Sequence, residues 1–194
     1  MSSLDAARTA IDRGALVVYP TETVYGLGAD ALEAAAIDRV FEAKGRDPDR
    51  PISMAVPDLD SAAQYVHLGA RERAFAEQFL PGPVTLVVEK RSVVPDVLTG
   101  GRDRVGIRIP DHALARELLA ETGPITATSA NPSGDPPPTT VAEVDPAIRD
   151  AAALVIDGGR GSGAPSTVVD LEQGEIHRAG AASDAVGKWL QSEE

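Results

Sequence analysis

Short apolar runs alternate with amphipathic stretches along this whole chain, and that interleaving restricts its fold more than any other feature. ALVVYP (15–20), PISMAV (51–56), VTLVVEK (84–90), RVGIRIP (104–110) and PITATSA (124–130) are each of strand length and end at proline, glycine or polar residues. Between them, LEAAAIDRVFEAKG (32–45) sets Ile37, Val40 and Phe41 at helical spacing and stops at Gly45. HALARELLAETG (112–123) has the same character and the same stop. Ser3 is placed to cap a first helix over 4–13. Residues 59–66 and 70–80 read as helical, as do a weaker stretch from Thr140 to about Asp150 and a last one over 182–191. ALVIDGG, STVVDL and GEIHRA add three short strands. Interleaved strands and helices make the class α/β. The irregular spacing and the strand-rich final third predict a twisted sheet of mixed parallel and antiparallel strands flanked by helices. No linker interrupts the pattern, so one domain over 1–194 is expected. SGDPPPT (133–139) is too short for a linker and reads as a stiff loop.

Three polar segments interrupt the apolar runs: PTETVYGLG (20–28), KGR (44–46) and TSANPSG (128–134). The KGR tripeptide stands out because the formal net charge is −12. A concentrated cationic spot in an anionic protein calls for an anionic partner, and a phosphate-bearing small molecule is the natural candidate. Lys44, Arg46 and Arg50 lie within seven residues. Lysine acts there as a point charge and arginine as a bidentate fork. The plainer reading is a solvated loop that complements a helix C-terminus. No GxxxxGK[ST] loop occurs, so a standard phosphate-binding loop is excluded.

Thr21, Glu22, Thr23 and Tyr25 follow a buried strand, where α/β proteins place ligands. Their hydroxyls suit the orientation of a small polar substrate, although an ordinary turn would use the same residues. Ser129 and Asn131 sit just past another strand. With no GxSxG elbow, Ser129 is assigned to binding and not to covalent catalysis. Arg108 should share a strand face with Gly106 and Pro110, opposite Ile107 and Ile109. Asp170 in STVVDL has a similar standing.

Composition removes several classes. There is no cysteine, so disulfides, thiolate catalysis and cysteine metal sites are excluded. His67, His112 and His177 have no ligand spacing, and no metal-binding residues are assigned. No apolar run approaches the ~20 residues of a membrane span, and the N-terminus lacks the pattern of a secretory signal; a cytoplasmic protein is expected. Strong acidity disfavours generic nucleic-acid binding. Aspartate is abundant, while Lys44, Lys90 and Lys188 are the only lysines. That balance points to a host cytoplasm of high salt, where charge is screened.

Taken together, YPTETVYGLGADA, KGRDPDRPISMAV, PGPVTLVVEK, VGIRIPDH, ATSANPSG, STVVDL and HRAG resemble the YrdC/Sua5 family, in that family's order and over about 16–180. The ordered set, with the K-x-R and S-x-N pairs intact as Lys44, Arg46, Ser129 and Asn131, is specific where each piece alone is weak. The resemblance implies a basic concave cavity on the sheet and synthesis of threonylcarbamoyl-adenylate from L-threonine, bicarbonate and ATP, with release of pyrophosphate. It implies that Lys44 and Arg46 are catalytic and that Arg46, Arg50, Arg104, Asn131, Thr139 and Arg178 meet ATP. It places Thr23, Arg108, Ser129 and Ser166 around threonine. Mg2+ would arrive mainly on the nucleotide, and a separate transferase complex would move the product onto tRNA. The longer Sua5 proteins carry Asn at Arg50 and His at Ala55, and they have a second domain not expected here. Two other readings compete. One is a module that holds double-stranded RNA or a tRNA stem, weakly and without chemistry. The other is carbamoyl transfer from carbamoyl phosphate, as in hydrogenase-maturation proteins, whose zinc fingers this cysteine-free chain cannot form.

Overall fold

The computed structural model describes residues 2–192. Nine strands form the sheet among these residues: β1 (Leu16–Tyr19), β2 (Gly26–Gly28), β3 (Ser53–Ala55), β4 (Val84–Glu89), β5 (Arg104–Arg108), β6 (Ile125–Ser129), β7 (Ala152–Val155), β8 (Thr167–Asp170) and β9 (Glu175–Arg178). Their spatial order is β7-β1-β2-β6-β3-β5-β4-β8-β9. The pairs β1–β7, β3–β5 and β4–β8 are parallel and the other five antiparallel, so the sheet is mixed. Among the described residues eight helices flank it: α1 (Ser3–Asp12), α2 (Ala34–Lys44), α3 (Leu59–Ala62), α4 (Ala70–Phe79), α5 (Asp96–Thr99), α6 (Ala113–Thr122), α7 (Pro146–Ala151) and α8 (Ser183–Ser192).

Four local expectations are corrected. Ser2, not Ser3, caps α1, because only Ser2 has an acidic residue three positions on. Its hydroxyl accepts from the Asp5 N–H at 3.1 Å while the Asp5 carboxylate accepts from the Ser2 N–H at 2.9 Å. The helix expected over 59–66 ends at Ala62, and Val66 bridges to Lys90 instead. The helix expected from Thr140 splits into a single 3-10 turn over Val141–Glu143 and α7. Pro146 lacks an N–H and can only begin a helix, which Asp145 caps by accepting from the Ala147 N–H at 2.8 Å. The fourth correction is β2, a strand where its two glycines suggested a turn. A Cβ on Gly26 would lie 2.7 Å from the Tyr19 ring, so only glycine lets β2 pair beside that side chain.

Alternation along the strands divides the core in two. Val105 and Ile107 of β5, Val84, Leu86 and Val88 of β4, and Val169 of β8 join the larger apolar cluster with residues of α2, α4 and α8. A smaller cluster joins Ala7 and Ile11 of α1 and Leu118 and Leu119 of α6 to Val17, Tyr19 and Ile125. Helices α1 and α6 therefore cover the β7–β1–β2–β6 end of that second face and reach only as far as Ala55 at the end of β3. The rest of it, where β3, β5, β4 and β8 present their alternate residues, is not roofed by a helix.

A cleft lined by arginines

That unroofed face forms a cleft of about 1000 Å3. Arg104, Gly106 and Arg108 of β5 line it at period two, with Thr85 and Val87 of β4 and Val168 and Asp170 of β8. Gly106 keeps the floor open, since a Cβ there would lie 2.4 Å from Ser53 Oγ and 2.9 Å from Thr85 Cγ2. Of the residues expected at the site, Thr23, Arg46, Arg104, Arg108, Ser129, Ser166 and Arg178 all reach the cleft wall, from segments more than 150 residues apart in the chain.

Arg108 is the most buried of the cleft arginines, 6% exposed. One terminal nitrogen donates to Thr23 Oγ1 at 2.7 Å and to Glu22 Oε1 at 3.0 Å. Among the described residues its other nitrogens have no partner, so part of the fork is left for a ligand. Glu22 Oε2 is buried without a donor. Thr23 is placed by a compact turn: Thr21 Oγ1 donates to the Val24 carbonyl at 2.6 Å, accepts the Thr23 and Val24 N–H groups, and lies 2.9 Å from Thr23 Oγ1. Tyr25, expected to offer a hydroxyl to substrate, instead donates to the Gly159 carbonyl at 2.7 Å and to Asp157 at 3.2 Å, holding the 157–159 loop.

Arg178 clamps the other side. It donates to the Ser166 carbonyl at 2.9 Å and to Ser166 Oγ at 2.8 Å, and that hydroxyl also lies 3.0 Å from Thr85 Oγ1. Arg46 is braced by the carbonyls of Arg50 (3.0 Å) and Pro51 (2.9 Å). Burial first, then the charges of Arg50 and Arg178, holds the Arg46 guanidinium below its ordinary value. Burial, then Arg108, does the same to Arg178. These cations repel one another across a shared space, which is the electrostatic signature of an anion site. Arg104 donates to Asp170 at 2.8 Å and pairs with Glu172.

Four expected residues do not line the cleft. Lys44 is 3% exposed, and its ammonium donates to the carbonyls of Ser129 (2.5 Å) and Asn131 (2.6 Å). Burial, with Arg46 as the second cause, pushes it down to about 8. Asn131 Nδ2 donates to the carbonyls of Pro132 (2.7 Å) and Asp135 (2.9 Å), shaping the turn, while its Oδ1 is buried without a donor. Thr139 is held by Glu143 at 2.7 Å and by Arg160 at 2.8 Å. Arg50 stands outside the wall, close enough for its charge to reach Arg46. Sequence reasoning passed over Arg102, Asp103, Gln173 and His177, which also border the cleft. Two glycines preceding Arg102 were the available signal.

Among the described residues, no three His, Asp or Glu side chains converge as a metal site. Asp103 and Asp170 are the carboxylates on the wall, and Asp170 is occupied by Arg104. No helix among the described residues is long and apolar enough to cross a membrane.

A family model named Sua5_yciO_yrdC, described as telomere recombination, matches residues 9–180. The chain belongs to the Sua5/YciO/YrdC family. It is 43% identical over 166 residues to the threonylcarbamoyl-AMP synthase of Pyrococcus abyssi, covering 84% of this chain but 49% of that protein. The chain thus spans about half the length of that relative. The threonylcarbamoyl-AMP synthase of Chromohalobacter salexigens is 38% identical, and there the match covers 89% of this chain and 94% of the relative. Among solved structures, P. abyssi Sua5 complexed with L-threonine superposes with a TM-score of 0.86 at 39% identity, covering 93% of this chain and 55% of that one.

Proposed function

We propose that this Sua5/YciO/YrdC chain is an L-threonylcarbamoyladenylate synthase, a nucleotidyltransferase that condenses L-threonine, bicarbonate and ATP. One observation carries the reading. A strongly acidic chain gathers Arg46, Arg104, Arg108 and Arg178 from separate segments into one cleft beside the hydroxyls of Thr23, Ser129 and Ser166. The synthase names of relatives at 38 and 43% identity support it. Arg108 takes the threonine carboxylate through the nitrogens it does not spend on Glu22 and Thr23. Thr23, Ser129 and Ser166 surround the rest of the amino acid.

The chemistry needs no protein nucleophile. Threonine's ammonium loses a proton, and its amine attacks the carbon of bicarbonate. Water leaves and a carbamate remains. A carbamate oxygen then attacks the α-phosphorus of ATP, and pyrophosphate departs with the electrons of the broken P–O bond. Catalysis is therefore positioning plus charge stabilisation. Arg46 and Arg178, held against the phosphates, stabilise negative charge there, and Arg50 and Arg104 extend the same field. Lys44 acts from beneath: it fixes the backbone of Ser129 and Asn131 and adds its charge to the floor. Mg2+ arriving on the triphosphate would supply further neutralisation, and among the described residues of the cleft wall Asp103 is the carboxylate not paired with an arginine. The product is handed to a separate transferase for tRNA modification in the cytoplasm.

The test is pyrophosphate release from ATP with magnesium, bicarbonate and each amino acid in turn, at low and high potassium chloride. Release that requires both L-threonine and bicarbonate is the expected result. A folded protein that releases none at any salt, yet binds a tRNA stem, overturns it in favour of a binding module.

A further inference from the structure

Five arginines border the cleft, and four are tied to protein groups. Arg46 is braced by backbone carbonyls, Arg104 by Asp170 and Glu172, Arg108 by Glu22 and Thr23, and Arg178 by Ser166. The fifth, Arg102, is different. Its side chain is exposed at the cleft rim, and among the described residues its guanidinium makes no hydrogen bond or ion pair.

Its backbone, by contrast, is firmly placed. Thr99, fully buried, donates its hydroxyl to the Arg102 carbonyl at 2.7 Å. Gly100 and Gly101 both adopt left-handed angles, φ 58° and 75°, which turn the chain sharply enough to bring residue 102 over the cleft. Gly100 also lies flat against the neighbouring cationic loop, since a Cβ there would meet the Asp49 carbonyl at 2.9 Å. The Ile52 N–H donates to the Leu98 carbonyl at 2.9 Å and completes the join. The loop that carries Arg102 is thus docked on the loop that carries Arg46 and Arg50.

We propose that Arg102 is a further phosphate-contacting residue that binds the distal phosphates of the nucleotide and the pyrophosphate they become. The proposal rests on the synthase reading. The reacting α-phosphorus must approach the carbamate formed at Arg108 and Thr23, which are 6% and 2% exposed. A triphosphate whose first phosphate sits at that depth runs its β- and γ-phosphates outward along the arginines to the rim. Arg102 meets it there with a complete set of unspent donors. The pinned backbone limits the ordering cost to the side chain alone.

Calorimetry with ATP, AMP and inorganic pyrophosphate, each with magnesium, on the wild-type chain and on Arg102→Gln and Arg102→Lys tests this without requiring turnover. Arg102→Gln should weaken ATP and pyrophosphate binding about tenfold, the effect of losing one charge-assisted contact, and leave AMP within twofold. Arg102→Lys should recover part of the loss. Equal affinities for all three ligands across the variants would overturn the proposal, as would loss of AMP binding to the same degree or a wild-type chain that binds no pyrophosphate. The synthase reading fails separately, by absence of turnover dependent on threonine and bicarbonate in a chain that still binds these ligands. Because Arg102 is exposed, unchanged thermal unfolding of both variants is expected.

Discussion

The Lys44 ammonium donates to the Ser129 carbonyl at 2.5 Å, and so ties the last residue of α2 to the last residue of β6. A second bond, to the Asn131 carbonyl at 2.6 Å, fixes the turn that follows. The backbone answers in kind: the Ser133 N–H donates to the Lys44 carbonyl at 2.7 Å. Two of the polar segments that the sequence separates by more than 80 residues are one structural unit, with a buried cation at its centre.

Replacing Lys44 with Met keeps the apolar stem and removes the donors. Two carbonyls are then left short of partners, and the variant should lose about 2–4 kcal/mol of stability. Urea unfolding measures this. A loss under about 0.5 kcal/mol would mean that water replaces the ammonium freely and that the strut is dispensable.

Lys44 also predicts opposite pH trends for stability and activity. Its folded value of about 8 lies below the ordinary 10.5. Between those values the unfolded chain holds a proton that the folded chain has released, so the Lys44 contribution to stability increases as pH rises through the window. The charge it adds to the phosphate field disappears over the same range. Turnover should fall along an alkaline limb with an apparent value near 8, while the Lys44 part of stability climbs. The Lys44→Met protein should have neither trend; an identical alkaline limb in the variant would assign it to another group.

Arg46→Ala removes a guanidinium already oriented by two carbonyls. By analogy with single-donor losses in other active sites, kcat/KM for adenylate formation should drop by about 2–4 kcal/mol. Arg46→Lys should recover little, because an ammonium cannot span both carbonyls and a phosphate. Steady-state kinetics on both proteins decide it, and near-normal synthesis by Arg46→Ala would remove Arg46 from the mechanism.

Gly161→Ala probes the 161–163 strap, which packs against the backbone of Glu22 and Thr23. A Cβ there would lie 2.3 Å from the Thr23 carbonyl oxygen. The strap is held by the Ser162 N–H on the Glu22 carbonyl (3.0 Å) and the Gly163 N–H on the Thr23 carbonyl (2.9 Å), and both bonds must stretch. The cost should be about 1–3 kcal/mol, and the KM for threonine should rise more than that for ATP. Equal effects on the two substrates would indicate a general loss of folding.

The net charge of −12 predicts a dependence on salt. Carboxylates that repel one another in dilute buffer are screened as ionic strength rises. The thermal midpoint should increase from low to molar potassium chloride and then level. A midpoint that is flat or falls with salt would dissociate this composition from a saline interior.

The mixed α/β class and most element positions were legible in the sequence, because apolar periodicity and glycine stops are local properties. Local chemistry also explains the corrections: Pro146 divides a helix because it lacks an N–H, and Asp5 selects Ser2 over Ser3 as a cap. The strand β2 was hidden, because Gly26 and Gly28 carry no apolar signal and are required only by the Tyr19 ring beside them.

The sequence by itself determined which side chains were available for the site, and on strand β5 it also determined their direction, since period two puts Arg104 and Arg108 on one face and Ile107 on the other. Tertiary structure alone decided how those side chains are used. Lys44 and Arg46 are two residues apart and look equivalent as cations, yet one is a buried strut and the other a cleft wall. Tyr25 and Thr23 both offer hydroxyls, yet only Thr23 meets Arg108. Arg102 carries no motif and becomes notable only where two loops dock. The physical reason is common to all of these: a polar group's role depends on which donors and acceptors surround it after the chain has closed, and the deciding partners of Lys44, Thr23 and Tyr25 come from 85 to 134 residues away.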